Sequence, residues 1–179
     1  MSAEKLPAVK TCKPSAPVIG VFATCDPRID DASRTRARNI VGLAADVIAD
    51  GVVLPGKVKP RVVWAATLVD GERQADIVAQ QSKTAGVNVL VAVPDTWAFP
   101  QLGLISLLSH FPKDIPINLT CGNSGPRPGV VFVHAANGAL AQYGKLAHIN
   151  VGTWPDTGLE PQMTPDTAEA LLDWCYAAC

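Results

Sequence analysis

The stretch Val87-Asn-Val-Leu-Val-Ala-Val-Pro-Asp-Thr-Trp-Ala-Phe99 decides the fold. Its first half is a β-branched apolar run held between Gly86 and Pro94, the pattern of a strand buried on both faces of a parallel sheet. Its second half turns polar and aromatic through Pro94, Asp95, Thr96 and Trp97, and a new apolar segment opens at Pro100. Open α/β sheets bind ligands at the carboxyl ends of their strands, so Trp97 is expected at a ligand-facing edge.

Upstream, Val18 to Ala23 reads as a first strand running into a turn-rich loop, Thr24 to Asp31. Ser33 is the expected cap of a helix, with Asp30 and Asp31 beside its positive end. Ala37, Ile40, Val41, Ala44, Val47 and Ile48 then recur at helical spacing until Gly51 stops the helix. Arg61 to Ala66 is a second strand. Asp70 is the expected cap of a helix that turns Ala75, Ile77, Val78 and Ala85 inward and ends at Gly86.

Downstream, Pro100 opens an almost wholly apolar helix, Gln101 to Phe111, and Ile115 to Thr120 is a fourth strand. Residues 130–143 carry two signals. Val130, Val131 and Val133 favour a strand with a turn at Asn137-Gly138, but a parallel strand at Leu146 to Val151 needs a crossover of about a dozen residues, which favours a helix. Thr164, Pro165 and Asp166 open a last helix that reaches Cys179 without a stop signal, the reading of a chain that continues into a further domain.

Strands alternating with helices predict an α/β fold: a doubly wound, five-stranded parallel sheet in a Rossmann-like, three-layer sandwich. The expected divisions are an N-terminal arm over 1–16, the α/β domain over 17–160, and a terminal helix over 161–179. With the flavodoxin-like strand order 2-1-3-4-5, the first and third strands are neighbours at the switch point. The loops Cys25 to Asp31 and Pro94 to Phe99 then meet, and Arg28 and Trp97 face one crevice.

A chain of 179 residues can bury one sizeable core, and 48% hydrophobic with 17% charged residues is globular. A net charge of −1 without a Lys/Arg cluster argues against nucleic acid or an anionic membrane as partner. No apolar run approaches the ~18 residues of a membrane span, and Met1 to Pro7 has no signal-peptide core, so a cytoplasmic location is expected. The five cysteines have no metal-ligand spacing and read as reduced thiols, so no metal site is expected from this chain alone.

Arg28 reads either as a surface arginine paired to Asp26, Asp30 or Asp31, or as a fork of donors for a polyhydroxylated or anionic ligand. Trp97 reads either as a core aromatic or as an indole face for a sugar. Cys121 to Gly129 looks like a phosphate loop but lacks the Gly-Lys-Ser/Thr ending, and its prolines remove backbone donors. His110, His134 and His148 lie on separate elements and form no catalytic set.

The chain resembles the N-terminal region of the L-fucose isomerase family, which includes relatives acting on D-arabinose. The resemblance runs from Ile19-Gly-Val and Asp26-Pro-Arg28 through Val93-Pro-Asp-Thr-Trp97 to Arg127-Pro-Gly-Val-Val-Phe, across roughly residues 17 to 160. It implies a hexameric, Mn²⁺-dependent aldose–ketose isomerase working by an ene-diol route, whose metal-binding Glu, Asp and His lie beyond this region. It further implies that this domain lends an arginine and a tryptophan, here Arg28 and Trp97, to the active site of a neighbouring subunit. The chain alone is then expected to be inactive. A sugar or small-metabolite binding module and a pure assembly module are the other readings.

Overall fold

The computed structural model describes residues 16–122, 127–155 and 158–179. The strands are β1 (Val18–Phe22), β2 (Arg61–Trp64), β3 (Val89–Ala92), β4 (Ile117–Cys121) and β5 (His148–Val151). The helices are α1 (Asp31–Gly51), α2 (Glu72–Thr84), α3, α4 (Gly129–Gln142) and α5 (Pro165–Ala178). The third helix, α3, is a π-helical turn, Gln101–Ile105, running into α-helix Ser106–Ser109. Most of the arm over 1–16, residues 123–126 of the phosphate-loop lookalike and residues 156–157 lie outside the described residues.

All five strands are parallel, in the order β2-β1-β3-β4-β5. The strand alternation decides the layers, because successive side chains point to opposite faces. Leu90 and Ala92 face α2, α3 and α4, where they meet Val78, Leu104, Leu107, Leu108, Phe132 and Leu140. Val89, Val91 and Val93 face α1 and α5, where they meet Ile40, Ala44, Ile48, Leu171 and Cys175. Each fully buried Leu or Ile contributes roughly 1.5–3 kcal/mol. Residues 130–143 are helical, so the need for a crossover outweighs the Asn137-Gly138 turn signal.

Four local expectations are corrected. The cap of α1 is Asp30, whose carboxylate accepts from the Ser33 amide at 2.7 Å; Ser33 lies inside the helix. Gly51 is the last helical residue and lies against Leu172, where a Cβ would come within 2.6 Å of its Cδ1. Asp70 does not cap α2; it accepts instead from Arg34 at 2.9 Å, and Gly71 precedes the helix with no side-chain cap. The inner face of α2 is Ala75, Val78 and Ala79, and Ile77 points outward. Gly86 closes that helix at φ +75°, a backbone conformation open to glycine.

Candidate functional site at the switch point

The chain leaves β1 for one side of the sheet and β3 for the other, so the loops at the carboxyl ends of these two adjacent strands meet at the switch point, the place where open α/β sheets bind ligands. The loop after β1 is pinned to the loop before α2: Val69 donates to Ala23 O at 2.9 Å and Cys25 donates to Val69 O at 3.2 Å. Arg34 adds a second tie, donating to Pro27 O at 2.7 Å as well as to Asp70. Two backbone and two side-chain bonds therefore fix a loop that would otherwise be mobile.

Asp26 organises the tip of this loop. Its carboxylate accepts from the Arg28 amide at 2.8 Å, from Arg28 Nε at 2.9 Å and from Arg28 Nη2 at 2.6 Å. The two side-chain bonds are bidentate, the geometry that suits a planar guanidinium. These bonds to Arg28 hold the Asp26 carboxyl down at about 2, against the burial that pushes it up. The Arg28 side chain stays 75% exposed, so its remaining donors face outward.

The loop after β3 forms the other wall. Trp97 is half-buried, and its ring meets Phe132 of α4 edge-on, with centroids 6.3 Å apart. Its other neighbour is Phe99, also edge-on, at 6.2 Å. The Arg28 Cζ lies 5.7 Å from the centre of the Phe99 ring. Arg28 and Trp97 are thus brought together, with the Phe99 ring between them. Sequence reading missed that spacer; its signal was an aromatic two residues past Trp97 in the same loop.

Chemically the crevice offers an outward guanidinium and an indole. The thiol in its wall, Cys25, is buried, and burial pushes it up to about 11, so it stays protonated at neutral pH and is no nucleophile. His110 pairs with Asp76 at 2.8 Å, and His148 stacks on Trp174, both away from the crevice. A cavity of about 720 Å³ lies at the opposite, amino end of the strands, between Pro17, Val89, Leu54 and Tyr176.

A family model described as the first N-terminal domain of L-fucose isomerase matches residues 16–179. The chain belongs to the L-fucose isomerase N-terminal domain family. A search of curated proteins finds no match. The family match takes in α5, whose Leu171 and Cys175 are fully buried in the layer shared with α1. Among the described residues, no group of three His, Cys, Asp or Glu side chains could hold a metal ion, and no helix is long and apolar enough to cross a membrane.

Proposed function

We propose that this chain serves as the first N-terminal domain of a metal-dependent aldose–ketose isomerase for sugars of the L-fucose and D-arabinose class. In this reading it contributes Arg28 and Trp97 to an active site completed by a neighbouring subunit of a cytoplasmic homo-oligomer, a hexamer in the family. The observation that carries it is the pairing at the switch point: a guanidinium 75% exposed, set one aromatic ring away from a half-buried indole. Arg28, held by Asp26 on one edge, donates from its other edge to sugar hydroxyls. The Trp97 face packs on the apolar side of the sugar and keeps water from it.

The family's Mn²⁺ polarises the sugar oxygens when bound. In this reading the ligands of that ion and the proton-shuttling carboxylates come from other parts of the isomerase. An open wall rather than an enclosed cavity is what a domain donating contacts across a subunit boundary needs.

The test uses the assembled isomerase that carries this domain. Arg28→Met and Trp97→Ala are each expected to raise KM for L-fucose or D-arabinose about tenfold, the scale of one lost hydrogen-bonded or stacked contact. Unchanged kcat/KM in both variants would sink the reading. Measurable binding of L-fucitol by the isolated chain in a calorimeter would instead favour a self-sufficient binding module.

A further inference from the structure

Behind the crevice lies a group of charges that no sugar contact uses. Arg36 projects from α1 and is fully buried, with Nε 3.3 Å from both carboxylate oxygens of Asp95. Its Nη1 donates to Gly158 O at 2.5 Å. Asp95 is 1% exposed and stands two residues before Trp97. From the other side Arg127, 24% exposed and two residues before α4, brings Nε to 3.6 Å from Asp95 Oδ2. The charge of Arg127 also adds a little to the hydrogen bonds from Ser33 that hold the Asp30 carboxyl down.

The same junction is sterically closed. Gly129, the first residue of α4, sits so near the loop after β3 that a Cβ would come within 2.8 Å of Pro94 O. A buried carboxylate is costly unless cations are placed to match it, and each match favours a particular distance. One carboxylate therefore sets the loop after β3 against α1 on one side and against the approach to α4 on the other.

We propose that Asp95 is the positioning residue of the crevice: by bridging Arg36 and Arg127 it fixes the depth of the loop that presents Trp97 to Phe99 and Arg28. Its consequence for sugar binding rests on the reading of Arg28 and Trp97 as sugar contacts, but the positioning itself is readable without a sugar.

The chain labelled with fluorotryptophan gives one fluorine resonance for each of its four tryptophans, and Trp97→Phe assigns the one that matters. Arg127→Gln is the first variant, because its guanidinium is partly exposed and Arg36 remains to neutralise Asp95. The expected result is a shifted or broadened Trp97 resonance, an unmoved Trp64 resonance on the edge strand, and recovery in Arg127→Lys. A Trp97 resonance that stays in place in Arg127→Gln overturns the proposal.

In the assembled isomerase, Arg127→Gln is expected to raise sugar KM about tenfold with a much smaller change in kcat, the scale of a small misplacement of a binding group. An unchanged KM in this variant, where Trp97→Ala raises it, removes the consequence for binding and leaves the sugar-contact reading standing. An unchanged KM in Trp97→Ala removes that reading itself. Asp95→Asn is the second variant and should displace the Trp97 resonance further. Should it fail to fold, the contrast between Arg127→Gln and Arg127→Lys still decides.

Discussion

The Arg28 guanidinium lies over the Phe99 ring, its Cζ 5.7 Å from the ring centre, while two of its nitrogens hold Asp26. Phe99 thereby acts as a spacer between Arg28 and Trp97, whose ring it meets at 84°. The exposed cation adds little over the aromatic face, whereas an edge-on aromatic pair contributes about 0.5–1.5 kcal/mol. Phe99→Leu keeps apolar bulk and loses both. We expect a loss of about 0.5–1.5 kcal/mol in urea unfolding, the scale of the aromatic pair, and a KM increase smaller than that of Trp97→Ala. A KM increase equal to that of Trp97→Ala would make Phe99 a sugar contact in its own right.

The Asp26–Arg28 pair predicts an acid-side dependence. Hydrogen bonds from Arg28 lower Asp26 from the ordinary 3.8 to about 2. Between those values the unfolded chain holds a proton that the folded chain does not, so stability rises with pH across the window and the contribution is lost as pH falls through it. Arg28 is largely exposed, so salt weakens the effect. Carbon-13 NMR should place the Asp26 midpoint near 2, and Arg28→Met should return it towards 3.8. An Asp26 midpoint indifferent to Arg28→Met would contradict the assignment.

Two glycines separate a hard contact from a soft one. A Cβ on Gly129 would meet the Cys121 sulfur and lie 2.8 Å from Pro94 O and 3.1 Å from the Asp95 carbonyl carbon, and backbone does not yield cheaply. A Cβ on Gly51 meets mainly the methyl ends of Leu172, which can rotate aside. Gly129→Ala is expected to cost about 1–3 kcal/mol, as overpacking does. Gly51→Ala should stay near neutral, since the gain in helix propensity of up to about 1 kcal/mol offsets the leucine's adjustment. Urea unfolding with an unchanged m-value measures both. Equal costs at the two positions would contradict this account.

The sheet was legible because β3 is apolar on both faces and because parallel strands demand crossovers; that demand also selected a helix for 130–143 over a hairpin, and the helix runs Gly129–Gln142. The crevice was legible only as a meeting of two loops. Arg36 shows why the rest was not. It lies four residues before Ile40, eight before Ala44 and twelve before Ile48, on the buried stripe of α1, so a charged residue stood on an apolar face. What makes that tolerable is Asp95, 59 positions further along, and no local pattern reveals such a partner. Asp70 failed as a predicted cap for the same reason: Arg34 reaches across from another helix and takes its carboxylate.

Breaking the Arg36–Asp95 pair is a stability prediction separate from its effect on Trp97. Arg36 is 0% and Asp95 1% exposed, so removing Arg36 takes the closer of two arginines from a carboxylate held out of water. Arg36→Met leaves Asp95 with Arg127 at 3.6 Å and loses the bond to Gly158 O. A cost of about 3–5 kcal/mol is expected, whereas Arg36→Met combined with Asp95→Leu should recover much of it, because a packed apolar pair needs no counter-charge. A double variant no more stable than Arg36→Met would mean that the cost comes from lost packing rather than from a stranded carboxylate.

Thiol chemistry supplies the last prediction. Burial pushes Cys25 up to about 11 and Cys175 up to about 12, both from 9.0. The folded chain therefore keeps protons on Cys25 and Cys175 that the unfolded chain releases above pH 9 or so, and stability falls as pH rises beyond that point. Cys25, Cys121 and Cys175 are buried and Cys179 is exposed. In a Cys12→Ser background, a thiol-specific disulfide reagent at pH 8 should modify Cys179 in the folded chain and reach the other three only on unfolding. Rapid modification of Cys25 in the folded chain would show that the loop after β1 opens readily, and the pinned wall on which Arg28 stands would have to be given up.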